Sequence, residues 1–237
     1  MSKGKYAKSV NYKPLALLLA MSLLVGCAIG GTVAWLADKT EPVKNTFTTS
    51  NVDIELAETK DTFKMIPGWT IDKDPKVTVK AGSEDCWLFV QVDESCGVPK
   101  SDDANYSFSE FLAYAIDTTT ANNCWTKGKG TKSESNPDGD GIPTNVYYRK
   151  VEGATSDKEF SILAAGTFTD TATNTVVSWS ANQVATKPSV TKEMMEAANK
   201  EGATKPTLTF TAYASQLKKN NTEEFTAAEA WANCPKS

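Results

Sequence analysis

Hydrophobic and polar residues alternate along much of the chain, and a period of two is typical of half-buried β-strands. Between residues 45 and 58, Val52, Ile54 and Leu56 fall on one face with polar residues between them. Residues 71–79 predict a second strand, which Asp74-Pro75 should hold in an extended conformation. Turn residues separate these stretches, so the pattern indicates several short strands.

A nearly uninterrupted apolar run, residues 86–92, predicts a central strand that is covered on both faces. Residues 106–116 fit two patterns. Ser107 and Glu110 could form the capping box of a helix, whereas the alternation from residue 112 onward favours a strand. Further strands are predicted at 146–151, 160–163, 174–179 and 208–214, and short helices at 191–200 and 226–231.

These elements predict an all-β fold, a jelly-roll or immunoglobulin-like antiparallel β-sandwich with one or two short helices. No linker divides residues 35–237, so they are predicted to form a single domain.

Residues 1–34 have the three parts of a secretory signal peptide. A positive n-region extends from Lys3 to Lys13, and an apolar h-region extends from Leu15 to Val25. A small-x-small site follows, which predicts cleavage between Ala34 and Trp35. The protein would then contact the membrane only through this leader, before cleavage.

Two alternatives for the leader remain open. Leu-Val-Gly-Cys at residues 24–27 fits a lipoprotein box, in which Cys27 would be lipidated and become the first residue. The leader could also stay uncleaved as a membrane anchor, although glycines interrupt its apolar run and make it short for a spanning helix.

The charge balance argues against a nucleic-acid partner. The net charge is −4, and Arg149 is the only arginine. Four lysines and no acidic residue precede Ala34, so cleavage there would leave a net charge of −8 (−4 − 4). An acidic chain without clustered arginines has no surface suited to phosphates.

The sequence contains no histidine. This absence excludes Ser-His-Asp and Cys-His nucleophile activation, as well as zinc proteolysis with histidine ligands. No motif points to catalysis by carboxylates or lysines. We therefore predict that the protein is not an enzyme, with a carboxylate-dependent hydrolase as a remote alternative.

The polar segment 127–142 contains a weak calcium-loop pattern. Asn136, Asp138 and Asp140 have the spacing of the first three oxygen ligands of such a loop, and a glycine stands at position six. Position twelve is Tyr147 where a glutamate is needed. A turn rich in aspartate and glycine explains the same residues without an ion, and no other cofactor is predicted.

Four cysteines remain after the predicted cleavage: Cys86, Cys96, Cys124 and Cys234. An even number in an exported chain permits two disulfides with three possible connectivities. An extended strand would hold Cys86 and Cys96 far apart. We therefore expect pairs of Cys96 with Cys124 and of Cys86 with Cys234, and free buried thiols are the alternative.

The six tryptophans permit two interpretations. They could form a platform for carbohydrate, but large aromatic residues in a sandwich more often fill the core or cover an edge. They stand at positions 35, 69, 87, 125, 179 and 231.

Three blocks of sequence resemble one known family. The leader and first strand read GGTVAWLADKTEPVKNTFTTSNVDIEL, the next turn and strands read KMIPGWTIDKDPKVTVKAGSEDCWLFVQV, and the ending reads PTLTFTAYASQ and then TAAEAWA. These blocks are spread along the chain from residue 30 to residue 232, and they resemble the TasA/camelysin family of Gram-positive bacteria. The chain departs from that pattern in the loop 96–124 and near Asp138.

The resemblance implies a secreted protein whose leader is removed by a SipW-type signal peptidase. It also implies a jelly-roll-like sandwich that forms extracellular fibres of the biofilm matrix, with itself or with related matrix subunits as partners. In such fibres, residues 35–50 would be freed by cleavage and would complete the sheet of the next subunit. The metalloprotease activity described for camelysin is not expected here, because the chain lacks histidine.

Two functional classes therefore compete. The first is a structural subunit of matrix fibres, located in the extracellular matrix or at the cell surface. The second is a monomeric surface adhesin or accessory binding module with the same fold. Filament formation by the mature chain distinguishes them.

Overall fold

Short antiparallel strands make up most of the described chain, as its alternating pattern predicts. The computed structural model describes residues 51–59, 63–100, 104–119, 124–153 and 155–235, which belong to one compact unit. The predicted signal peptide, Cys27, the cleavage site at Ala34 and Trp35, and the segment 35–50 lie outside the described residues. Among the described helices, none is long and apolar enough to cross a bilayer.

The described part contains twelve strands and three short helices. The strands are β1 Ile54–Ala57, β2 Thr70–Asp72, β3 Lys76–Val79, β4 Cys86–Gly97, β5 Leu112–Ala113, β6 Thr126–Lys127, β7 Val146–Val151, β8 Lys158–Ser161, β9 Gly166–Asp170, β10 Thr175–Trp179, β11 Gln183–Thr186 and β12 Thr204–Gln216. The helices are α1 Phe108–Phe111, α2 Lys192–Ala198 and α3 Ala227–Asn233.

The strands form four antiparallel sheets. The largest has the order β12-β4-β7-β6, two sheets of three strands have the orders β1-β3-β8 and β2-β11-β5, and β9 pairs with β10 in a hairpin. This arrangement confirms the all-β class at the level of antiparallel sheets with few short helices.

The predicted central strand is confirmed as β4, which lies between β12 and β7. Leu88 and Val90 belong to the main hydrophobic cluster, together with strands from the other sheets. Phe89 points to the opposite face and packs into a smaller cluster with Trp231 and Val146. An apolar residue is therefore needed at successive positions of β4, which explains its lack of alternation.

The prediction of one strand over residues 71–79 is wrong. The chain forms β2, passes through Asp74-Pro75, and then forms β3 in a different sheet. Pro75 has no N–H to give to a ladder, and its carbonyl accepts a hydrogen bond from Ile162 N at 3.2 Å. The proline marks the point where the chain changes sheets.

Both patterns proposed for residues 106–116 occur, one after the other. Ser107 and Glu110 form the capping box of α1, and the chain becomes extended at Leu112, which pairs with Thr186 of β11. The helix is a single turn because its carboxyl end enters a strand directly.

Helix α3 begins with the predicted capping box. Thr226 N donates to Glu229 Oε2 at 2.9 Å, and Glu229 N donates to Thr226 Oγ1 at 3.3 Å. Lys219 Nζ donates to the other carboxylate oxygen at 2.6 Å. The bond from Lys219, followed by those from Thr226, lowers the pKa of Glu229 to about 2.

This depressed pKa predicts a pH window for the cap. A carboxylate with a lowered folded-state pKa stabilises the fold above its unfolded value and loses that contribution as pH falls through the folded value. We expect wild type to be more stable than Glu229→Gln at neutral pH, and the difference to vanish between pH 4.5 and about pH 2. Urea unfolding of both proteins across this range checks the prediction, and a difference that stays constant contradicts it.

Candidate functional site

The longest strand in the described residues, β12, forms one edge of the four-stranded sheet. It pairs with β4 over most of its length, from Thr207 opposite Ser95 to Gln216 opposite Cys86. In an antiparallel ladder, alternate residues direct both backbone groups to the neighbour, and the residues between direct theirs away. The backbone N–H and C=O groups of β12 therefore point alternately toward β4 and away from it.

Two hydrogen bonds fix this parity. Leu217 N donates to Asp85 O at 3.0 Å, one step beyond the last paired residues of β12 and β4. Odd-numbered residues of β12 after the register shift therefore bond to β4. On the other side of β4, Val92 N donates to Asn145 O at 2.9 Å, so even-numbered residues of β4 face β7, as this parity requires.

The outward backbone groups of β12 therefore belong to Leu208, Phe210, Ala212 and Ala214. Among the described residues, these four make no hydrogen bond outside strand ladders. Pro206 precedes them on the same edge, where the missing N–H of a proline is tolerated. Within the part of the chain that the structure describes, the edge is therefore a row of unpaired backbone donors and acceptors, and such a row is a template for another strand.

The surroundings of this edge are partly apolar. The side chains of Phe210, Ala212 and Ala214 are half-buried against the main hydrophobic cluster. Strand β1 lies against β12 but pairs only with β3. Apolar side chains and β1 therefore border this edge, which does not lie on a flat outer surface.

A groove of about 240 Å³ opens beside the first residues of β12. Phe63, Met65 and Ile71 line one side, and Pro206 and Leu208 line the other. The groove is mostly apolar and large enough to hold one or two side chains of an added strand.

Lys73 supplies the charge at this groove. It is 8% exposed, and its Nζ donates to Glu58 Oε1 at 2.6 Å. The same Nζ lies 5.1 Å from the ring centroid of Phe63 and 5.5 Å from that of Phe210. The ion pair and the two cation–π contacts connect the segments after β1 to β12.

Exposed apolar residues lie at the turn between Met65 and β2. Ile66 is 43% and Trp69 64% exposed, and Gly68 between them has a positive φ of 76°. Trp69 N donates to Ile66 O at 3.0 Å, which closes the turn. The turn presents two large side chains to solvent beside the groove.

The calcium-loop residues already hold the loop together. Asn136 Nδ2 donates to Lys129 O at 2.6 Å and to Thr131 O at 3.1 Å. Asp140 Oδ1 accepts hydrogen bonds from Lys129 N at 2.9 Å and from Ile142 N at 3.0 Å. These contacts fit the turn interpretation.

Asp138 is exposed, and no group of three or more acidic or cysteine residues suited to a metal occurs in the described part of the chain. Calcium binding at Asn136, Asp138 and Asp140 stays a prediction.

No disulfide joins Cys86, Cys96, Cys124 or Cys234 in this structure. Cys86 belongs to the main cluster on one face of β4, and Cys234 belongs to the smaller cluster on the other face. The sheet lies between them, so they cannot pair without unfolding. Cys124 Sγ instead donates to Thr118 O at 2.8 Å.

The burial of the thiols predicts their reactivity. Burial, followed by the charge of Asp85, raises the pKa of Cys86 to about 11, and its side chain is fully buried. Because the thiolate is the nucleophile, we expect iodoacetamide at pH 8 to label partly exposed Cys96 and Cys124 and to spare Cys86 and Cys234. Peptide mass spectrometry checks this order, with urea-unfolded protein as the control in which all four react. Rapid labelling of Cys86 in the folded chain contradicts it.

Most of the described tryptophans serve the core. Trp125, Trp179 and Trp231 are at most 7% exposed, and Trp87 is half-buried with its Nε1 donating to Phe225 O at 2.7 Å. Trp69 alone among the described tryptophans is exposed. The five tryptophans that the structure describes therefore do not form one platform.

A buried carboxylate, Asp170, has a structural role. Its Oδ1 accepts a hydrogen bond from Ala172 N at 3.0 Å, and its Oδ2 accepts one from Ser189 N at 2.9 Å. Burial raises the pKa of Asp170, but the bonds from Ser189, Ala172 and Thr173 outweigh burial and lower it. A general acid needs a raised pKa, so this buried group gives no support to hydrolase chemistry.

Comparison with known proteins adds no relative. The chain matches no model of a known protein family, and searches of curated proteins and of solved structures found no match.

Proposed function

We propose that this chain is an exported structural protein, a subunit of extracellular matrix fibres that assembles by strand donation. The single observation that carries the proposal is the edge of β12, which pairs with no other described strand on its outer side. A strand added there would hydrogen-bond to the outward backbone groups of alternate residues, from Leu208 to Ala214. The resemblance to TasA/camelysin proteins and the jelly-roll or immunoglobulin-like sandwich it implies belong to the same proposal.

Residues 35–50 are the proposed donor strand. They end at Ser50, whereas β1 begins at Ile54. They number sixteen and β12 has 13 residues, so the donor is long enough to pair along the whole edge. Val43 and Phe47 are apolar residues within it that could enter the groove lined by Met65 and Leu208.

The geometry of such a contact leads to a filament. Each subunit would donate with its amino-terminal segment and accept with β12, so donor and acceptor are different surfaces. A head-to-tail contact of this kind continues indefinitely unless its rotation closes a ring. A SipW-type peptidase that cuts after Ala34 would free the donor outside the membrane, which restricts assembly to the extracellular side.

Electron microscopy of two purified proteins tests the proposal. One protein begins at Trp35 and the other begins at Val52, which retains every described strand and lacks the donor. We expect filaments from the longer protein alone. We also expect a synthetic peptide of residues 35–50 to bind the shorter protein and to prevent it from accepting the donor segment of a longer subunit. If neither protein polymerises at any concentration, the chain is a monomeric surface adhesin or accessory module.

A further inference from the structure

A broad groove on the other side of β4 has no role in strand donation. It has a volume of about 750 Å³, and side chains from β4, β7, β9 and the segment after β5 line it, among them Glu94, Tyr147, Phe168 and Tyr114. A recess of about 370 Å³ shares three of these residues and extends the groove past the start of β7. We call the two together the Tyr114 groove. Each volume lies within the range of about 300–1,000 Å³ that is usual for ligand sites.

The groove exists because β7 is shorter than β4. β7 pairs with β4 from Cys86 to Gln91, whereas β4 continues to Gly97. Among the described residues, no strand covers the second half of β4 on this side. Asp93 and Glu94 lie where the cover ends; Glu94 lines both the groove and the recess, and Asp93 lines the recess.

Neighbouring donors fix these two carboxylates. Gln91 Nε2 donates to both oxygens of Asp93, at 3.1 and 2.9 Å, and Asn145 Nδ2 donates to Oδ1 at 2.9 Å. Tyr114 OH donates to Glu94 Oε1 at 2.7 Å. A carboxylate has about four acceptor positions, so both keep lone pairs for donors on a ligand. Groups that are held in place before binding lose less entropy when a ligand arrives.

Aromatic, small apolar and threonine side chains form the rest of the lining, and the charged side chains in it are equal in number and opposite in sign. The rings of Tyr114, Tyr147 and Phe168 line the groove, and burial raises the pKa of both tyrosines, so they stay neutral. Lys127 and Lys187 also line the Tyr114 groove, and their two positive charges equal the two negative charges of Asp93 and Glu94, so the groove has no net charge. It therefore has no electrostatic preference for a polyanion.

We propose that the Tyr114 groove binds a neutral, β-linked polysaccharide of glucose or N-acetylglucosamine units. Such sugars have apolar C–H faces that pack on aromatic rings and equatorial hydroxyls that donate to carboxylates. The groove is open at the surface, as binding to the middle of a polymer requires. A peptide strand fits less well. In the uncovered half of β4, only Glu94 and Cys96 direct their backbone N–H and C=O groups toward this side, so an added strand would find few partners. This binding is independent of strand donation.

Calorimetric titration of the full chain, purified in mild detergent, tests this assignment. The probes are cellohexaose and chitohexaose, with hexagalacturonate as an acidic comparison. We expect at least one neutral hexasaccharide to bind. Glu94→Gln and Asp93→Asn should each weaken binding roughly tenfold, because each weakens a hydrogen bond to a charged acceptor.

Two matched variants locate the binding. Glu201→Gln changes an exposed carboxylate outside the groove, and Trp69→Ala removes the exposed tryptophan. Both should bind like wild type, and circular dichroism should show that all four variants fold. The assignment is wrong if neither neutral hexasaccharide binds, if only hexagalacturonate binds, or if Trp69→Ala abolishes binding while the groove variants do not.

Discussion

A single proline on β12, Ala212→Pro, should abolish filament growth and leave the subunit folded. The N–H of Ala212 points away from β4, so its loss removes no bond of the sheet but removes a donor that the added strand needs. The same strand already contains a proline, Pro206, at the register shift before its regular pairing with β4. Electron microscopy and far-UV circular dichroism of the variant that begins at Trp35 measure both effects.

The neighbouring residue provides the matched control. Thr211 lies opposite Gln91 and directs its N–H to β4, so Thr211→Pro removes a ladder hydrogen bond, leaves its acceptor unsatisfied and should destabilise the fold by about 1–3 kcal/mol. The Ala212→Pro subunit still carries its donor segment and should therefore end growing wild-type filaments when it is added in small amounts. Normal filaments from Ala212→Pro would show that β12 is not the acceptor edge.

Replacement of Phe89 by alanine should cause the largest loss of stability of any change considered. Phe89 is fully buried, and its ring centroid lies 5.3 Å from that of Trp231 and 6.2 Å from that of Tyr148. Removal of a buried phenylalanine ring loses its transfer free energy and leaves a cavity, so the free energy of unfolding should fall by about 3–5 kcal/mol.

Urea unfolding of the protein that begins at Val52 measures this loss without the complication of polymerisation. Val176→Ala is the control, since Val176 is 66% exposed and its truncation should change the free energy of unfolding by less than about 0.5 kcal/mol. Similar losses for the two variants would show that the cluster around Phe89 is not tightly packed.

Sequence patterns predicted those elements whose cause is local. The capping boxes at Ser107 and Thr226 and the uninterrupted apolar run of β4 are present where the sequence places them. Each depends on residues close together in the chain, so a short window contains the whole cause.

Pairing between distant segments could not be predicted in this way. The alternation over residues 71–79 does not reveal that Pro75 separates two sheets, because both halves have suitable strand residues. The position of a cysteine in the chain likewise does not reveal which face of the sheet it occupies. The alternation along β4 and the position of α3 place Cys86 and Cys234 on opposite faces of the four-stranded sheet. The open edge of β12 and the Tyr114 groove depend on which strands are neighbours and where one strand stops.

The position of β12 beside β4 also sets the order of folding. Trp87 Nε1 donates to the carbonyl of Phe225, which lies 138 residues further along the chain. The central strand therefore has to wait for the last strand before its sheet is complete, and contacts of such long sequence separation form slowly. A chain that emerges amino terminus first through a translocation channel would stay unfolded until nearly all of it has crossed. If this chain is exported as proposed, its folding would then follow transport without a separate factor to delay it.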